Sequence, residues 1–315
     1  MNTQSRRDIL RLLGVSGVSF ASGLWGCAGG PASPRVPAPR GVGPVAPGAH
    51  RDPALDDFFF LQLSDTHWGY SGAANPEADG TLRSTVATIN SVAARPDFVM
   101  FTGDLTHMTD EPQQRRERMR EFKAIVSELA VKDVRFIPGE HDASFDGGEA
   151  YREIFGETHY AFEHKGLRFL ALDNVSNEGG VLGDAQLAWL SAEVARAPKT
   201  APLVVFAHRP LFDLFPDWDW ATKDGARAVE ILEQHPNVTV FYGHIHQEHV
   251  QQTGSVTHRA ARSLVFPLPS AGSVPKKAPL AWDPQSVDHG LGYREVARHV
   301  DSLRVQEHPF AKTRT

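Results

Sequence analysis

An α/β architecture follows from two observations. Apolar, β-rich runs alternate along the chain with segments of helical periodicity, and five of those runs stop at a residue able to bind a metal. Alternating β and α elements imply a sheet covered by helices. Side chains at the ends of its strands gather at the rim, where open α/β folds bind their ligands.

The first residues read as a targeting segment. Ser5-Arg6-Arg7-Asp8-Ile9-Leu10 precedes an apolar stretch from Ile9 to Trp25, which resembles a twin-arginine export signal. The stretch is too short and too rich in Gly and Ser for a membrane span. Cys27 is the single cysteine, so no disulfide can form within the chain. Its place after Leu24-Trp25-Gly26 resembles a lipoprotein processing site, although Trp25 stands where a small or branched residue is usual; cleavage nearby to give a soluble product is the alternative. Residues 1–27 are thus expected to be a signal peptide recognised by the twin-arginine export machinery, with a lipid anchor at Cys27 as one outcome. The expected location is periplasmic or exported. Residues 28–56, rich in Pro, Gly and Ala, lack the periodicity of a core and form a linker. One domain is expected over 57–315.

Within that domain the strand runs are FFFLQLS, DFVMFTG, VRFIPG, PLVVFA and VTVFYG, with a further run from Leu167 to Leu172. Helical patterns cover Leu82–Ala94, Gln113–Ala130, Gly148–Phe155, Asp184–Ala195 and Gly225–Gln234. The fourth carries Leu187, Leu190 and Val194 at helical spacing, with Asp184 as its expected N-cap. Gln247–Ala260 and Arg294–Glu307 read as strands separated by a Pro-rich loop, and the strands within 247–315 are expected to complete the second sheet. The net charge of −6 argues against a partner that tracks nucleic-acid backbone. Arg115-Arg116-Glu117-Arg118 is expected to be a solvated helix face.

The chemistry lies where the five runs end: Asp65-Thr66-His67, Gly103-Asp104, Gly139-Glu140-His141-Asp142, His208 and Gly243-His244-Ile245-His246. Carboxylates and imidazoles without thiolates suit Mn, Fe or Zn. This set resembles the calcineurin-like metallophosphoesterases, whose pattern is D-x-H, G-D, G-N-H-[DE], a single H, and G-H-x-H. The resemblance spans about Phe58 to His246 and is greatest for bacterial cyclic-nucleotide phosphodiesterase-like members.

The resemblance implies a four-layer α-β-β-α sandwich of two mixed sheets flanked by helices. It implies that Asp65, His67 and His246 hold one metal ion, that Glu140, His208 and His244 hold a second, and that Asp104 bridges them. His141 would serve near the leaving group, oriented by Asp142. The implied reaction is hydrolysis of a phosphate ester by a hydroxide bridging the two metals.

Glu140 departs from the pattern, which has asparagine there. Two divalent cations, three carboxylates and a bridging hydroxide sum to a neutral site, whereas asparagine leaves one net positive charge. A less positive site favours a phosphodiester over a dianionic monoester, and a trivalent iron would restore the charge. The expected function is therefore an exported phosphodiesterase with Fe and/or Mn, Zn being compatible. The alternatives are a phosphomonoesterase or nucleotide pyrophosphatase on the same fold, or a non-catalytic metal-binding domain with a degenerate site. Arg209 either neutralises substrate or makes a salt bridge. Trp218 and Trp220, in an aromatic loop, either stack on substrate or pack. His107 lines the cleft or lies on the surface; His249 and His258 lie beyond the site. Lys276 and Lys277 belong to an expected rim loop.

Overall fold

The computed structural model describes residues 56–299 and 302–310. The expected signal segment, Cys27 and the linker up to residue 55 lie outside the described residues.

Two sheets pack face to face. The first has strand order β11-β10-β1-β2-β3 and the second β4-β5-β6-β7-β9-β8. In the first, β1 (Asp56–Leu63), β2 (Phe98–Thr102) and β3 (Val134–Ile137) run parallel, and β10 (Gly292–His299) pairs antiparallel with β1 and with β11 (Ser302–Pro309). In the second, β5 (Leu167–Ala171), β6 (Leu203–Phe206), β7 (Val238–Tyr242) and β9 (Val256–Ala260) are parallel. It is edged by antiparallel β4 (Tyr160–His164) and β8 (His249–Thr253).

The near-continuous apolar runs are explained by burial on both faces. Along β1, Phe58 and Phe60 point to the other sheet, while Phe59, Leu61 and Leu63 point to the helices. β2 repeats this alternation, with Phe98 and Met100 on the inner face and Val99 and Phe101 on the outer. The space between the sheets is filled largely with phenylalanine. Phe60 stacks on Phe98 at 4.7 Å and meets Phe169, Phe206 and Phe241 edge-on; each buried ring contributes about 2–3 kcal/mol. Helices α1 (Ala78–Ser91), α2 (Pro112–Val126) and α4 (Glu149–Phe155) cover the first sheet. α5 (Gly183–Arg196) and α6 (Gly225–Leu232) cover the second. The layers are those of the α-β-β-α sandwich. Among the described residues no helix is long and apolar enough to cross a membrane.

Several expectations change. Each C-terminal run is two strands: Gln247–Ala260 breaks at Gly254, whose φ is +50°, into the β8–β9 hairpin. Only that hairpin extends the second sheet; β10 and β11 join the first, against β1. Asp184 does not cap α5, which it enters as the second residue. The free N–H groups of Leu182 and Gly183 are taken instead by the Asp224 carboxylate, at 2.9 Å each, a cap supplied from the neighbouring segment. The basic face of α2 is not simply solvated. Arg115 is buried on Asp146 at 2.8 Å, and Arg116 reaches Glu153 at 2.6 Å, so this face docks α4 and the loop before it.

Candidate metal centre

The five motif strands end on one rim, and the two sheets share the site. The first sheet delivers Asp65, His67, Asp104 and Glu140; the second delivers His208, His244 and His246. They form two groups with ligand atoms within 4.8 Å of one another: Asp65, His67, Asp104 and His246, then Asp104, Glu140, His208 and His244. Asp104 belongs to both. Its Oδ1 accepts the His141 N–H at 3.0 Å. Its Oδ2 faces His67 Nε2 at 3.4 Å and His208 Nε2 at 3.5 Å, so a single oxygen lies between the two groups.

The backbone is strained here. Seven non-glycine residues among those described have positive φ, and five are candidate ligands: Asp65, His67, Asp104, His244 and His246. Such conformations cost of order 1–3 kcal/mol each and collect at functional sites. The motif glycines make room. A Cβ on Gly103 would lie 2.3 Å from His208 Nδ1, and one on Gly139 would lie 2.1 Å from Asp104 N and Oδ1.

The residues fit a pair of cations. His208 Nδ1 lies 2.8 Å from the Thr102 carbonyl and His246 Nδ1 lies 2.7 Å from that of Phe266. A carbonyl only accepts, so each ring carries a proton on Nδ1 and leaves Nε2 as the nitrogen that faces a cation. Glu140 sets Oε2 2.8 Å from His208 Nε2 and Oε1 2.8 Å from His244 Nδ1. Neither approach has hydrogen-bond alignment, and Glu140 Oε2, His208 Nε2 and both His244 nitrogens remain buried without such a bond. Buried polar atoms left over in this way need a further partner, and a cation among them supplies one.

In the metal-free protein the charges answer one another. Burial acts to raise the Glu140 carboxyl, but the imidazoles of His244 and His208 hold it well below the usual range. Burial acts to lower His208, but Asp104 and Glu140 hold it well above the ordinary histidine value. Asp65, likewise buried, is kept low by His246.

Other candidate residues stand differently. The Asp142 carboxylate does not touch the His141 ring. It accepts the N–H groups of Gly139, Leu105 and Thr106 at 2.9 Å and the Thr106 hydroxyl at 3.0 Å. It therefore fixes the loop after Asp104 and the start of the short helix α3 (Glu140–Ala143); burial and then Asp104 push it up to about 6. The His141 Nδ1 accepts the Met108 N–H at 3.2 Å, and its Nε2 lies 3.9 Å from Asp104 Oδ2. Trp218 and Trp220 are buried beside Tyr242, Ile245 and Ala260, so packing has taken the faces on which a substrate would stack. Arg209 does reach the site. It lines, with Glu140, Asn177 and Lys223, a cleft of about 580 Å³ that no aromatic side chain among the described residues borders. Its guanidinium donates to the Trp220 and Asp219 carbonyls. Lys277 donates to Trp218 O at 2.9 Å.

Sequence reasoning assigned no role to Asn174, which lies just beyond the run from Leu167 to Leu172. The Asn174 Oδ1 accepts the His208 and Arg209 N–H groups at 3.2 and 3.3 Å, and its Nδ2 donates to Arg209 O and Thr222 Oγ1. A polar residue closing a buried strand was the available signal.

Comparison with known proteins is consistent with this site. The profile of the family described as Calcineurin-like phosphoesterase matches residues 60–248. A probable cyclic nucleotide phosphodiesterase of Rhodococcus erythropolis is 29% identical over 203 residues, covering 60% of this chain and 64% of that protein. A probable glycerophosphodiester phosphodiesterase of Arcobacter nitrofigilis is 30% identical over 165 residues, covering 48% of this chain and 57% of that protein. The chain thus spans less than two thirds of either relative. Among solved structures, a dimetal phosphatase from Danio rerio superposes with a TM-score of 0.63 at 14% identity, over 82% of this chain and 98% of that one, a likeness of fold.

Proposed function

The chain belongs to the calcineurin-like phosphoesterase family, and from that premise we propose that it is a metal-dependent phosphodiesterase with a dinuclear centre. The observation that carries this reading is the pair of four-residue groups joined by Asp104. Asp65, His67, Asp104 and His246 hold one ion; Asp104, Glu140, His208 and His244 hold the other. Two such cations acidify water and neutralise phosphoryl oxygens. The protein positions the rest. Thr102 O and Phe266 O fix the ligand tautomers of His208 and His246. The Asp142 carboxylate holds the Gly139 and Leu105 backbones that carry Glu140 and Asp104. The His141 ring, turned edge-on to His67 at 4.4 Å between centroids, is placed to give a proton to the departing alkoxide.

Two features support a diester. The third carboxylate, Glu140, lowers the positive charge that a dianionic monoester requires. The cleft beside Glu140 gives a second ester substituent somewhere to lie, and its polar, ring-free wall suits a hydrophilic alcohol better than a nucleobase. We also propose export by the twin-arginine route, on the SRRDIL run, and iron in one of the two positions, on the charge of Glu140.

Metal-depleted protein reloaded with Mn, Zn or Fe is expected to bind two ions and to hydrolyse bis(p-nitrophenyl) phosphate faster than p-nitrophenyl phosphate. Asp104→Asn is expected to lose both metals and turnover. A two-metal protein that cleaves neither ester would refute the assignment. Arg6→Lys with Arg7→Lys is expected to leave the protein in the cytoplasm, and periplasmic accumulation of that variant would remove the export proposal.

A further inference from the structure

A third group of imidazoles lies at the edge of the first metal group: His67, His107 and His141. His107 Nδ1 is 3.3 Å from His67 Nδ1. The other nitrogen of His67, Nε2, is the one turned to Asp104 at 3.4 Å and to His246 Nε2 at 3.3 Å. A histidine that binds metal through Nε2 as a neutral ring must carry its proton on Nδ1, and that proton needs an acceptor. His208 and His246 find backbone carbonyls. For His67, the acceptor within reach is the ring nitrogen of His107.

We propose that His107 is a positioning residue that fixes the tautomer and orientation of His67, and thereby sets the affinity of the first metal position. The inference rests on the dinuclear reading above.

His107 is itself held for this task. Its N–H donates to Trp68 O at 2.9 Å. Its carbonyl accepts from the Arg118 guanidinium at 2.8 Å, so α2 braces it from outside. Its ring rests against the edge of Tyr70 at 5.1 Å and beside His141 at 5.1 Å. These contacts leave the ring a narrow range of orientations. To accept at Nδ1 it must be neutral, with its own proton on Nε2. A third metal among the three rings is disfavoured by the same geometry, because His67 would have to bind metal through both nitrogens at once. His141 is also committed, since its Nδ1 accepts the Met108 N–H.

His107 differs in kind from the acceptors of His208 and His246. A carbonyl cannot be removed by substitution, whereas an imidazole can. An imidazole acceptor also carries no charge, so His67 is oriented without being made more basic, as a carboxylate would make it.

The test is metal binding, measured by calorimetric titration of metal-free protein with Zn, together with nitrogen NMR of the histidine rings. His107→Ala is expected to weaken one of the two sites by about 10–100-fold and to leave the other within error. His107→Asn, whose carboxamide oxygen can accept the same proton, is expected to recover most of the loss. In the Zn-loaded protein the His67 ring is expected to show its proton on Nδ1, and the His107 ring on Nε2. Unchanged affinity in His107→Ala, or a His67 proton on Nε2, overturns the inference while leaving the dinuclear centre standing. If the unaltered protein binds no second metal, it is the proposed function that fails, and the titration of that protein alone reveals it.

Discussion

At the scale of single residues, Glu140 separates a tuned centre from a damaged one. Its two oxygens each approach one imidazole at 2.8 Å, so its side chain does reach the second ligand group, as its place in the motif implies. Glu140→Asn removes one negative charge there. The expected outcome is a shift of metal preference towards divalent ions such as Mn, with monoester turnover rising relative to diester turnover. Metal analysis and the ratio of kcat/KM for the two ester classes read both effects. An unaltered metal content and ratio would withdraw Glu140 as a ligand. Gly139 offers an independent check, because its φ of −103° is ordinary and only space forbids a side chain. Gly139→Ala drives a Cβ into Asp104 and is expected to cost about 1–3 kcal/mol of stability. It should also reduce metal content at both positions, measured by unfolding midpoint and metal stoichiometry. At this scale the convergence of the seven candidate positions was legible, because the motifs state residue type and spacing together. The roles of Trp218, Trp220 and Asp142 were not. An aromatic loop reads alike whether its rings face solvent or a core. A carboxylate beside a histidine reads alike whether it bonds that ring or three backbone N–H groups.

At the scale of elements, strands were read best where the apolar run is bounded by a motif, and helix ends were read worst. α1 starts four residues before the expected Leu82, because buried Ala78 and Thr81 extend its inner face. The α5 cap comes from Asp224, 42 residues from Leu182, and no local pattern could announce it. Away from the candidate ligands, β9 carries a buried, unpartnered titratable group, His258. Both nitrogens of His258 lack a hydrogen bond among the described residues; its ring lies edge-on to Phe212 at 4.9 Å. Burial, and then neighbouring His249, push its pKa down to about 4. The unfolded chain takes up a proton near the ordinary value of about 6.5, while the folded chain does not until about 4. Stability is therefore lost as pH falls through that window, by on the order of 3 kcal/mol from this group. His258→Leu is expected to flatten the decline between pH 6.5 and 4 in denaturant unfolding series. An identical slope in the variant would show that His258 is not buried as a neutral ring.

At the scale of the whole molecule, the class and the helix-covered sheets were legible because alternation of periods is a local property. The partner of each C-terminal strand was not, because an antiparallel ribbon carries the same pattern at either sheet's edge. The structure places β10 against β1, the strand that leads to Asp65. The residue that secures this choice is Arg294. It lies buried on β10, and its guanidinium donates to Gln62 of β1, to the Arg259 and Ala260 carbonyls of β9, and to Glu307 of β11 at 2.5 Å. One cation thus joins both sheets behind the ligand loops. Removing one member of a partly buried ion pair strands the other, here Glu307, whose carboxyl burial already pushes above its usual range. Arg294→Ala is therefore expected to cost about 3–5 kcal/mol. Replacing both partners with apolar residues, Arg294→Met with Glu307→Leu, is expected to recover part of that loss. It cannot recover all, since Gln62 and two carbonyls still lose their donor. Unfolding free energies of the two variants test this directly. If the single and double variants are equally stable, the Glu307 pairing contributes nothing, and the hairpin is held to β1 by its backbone ladder alone.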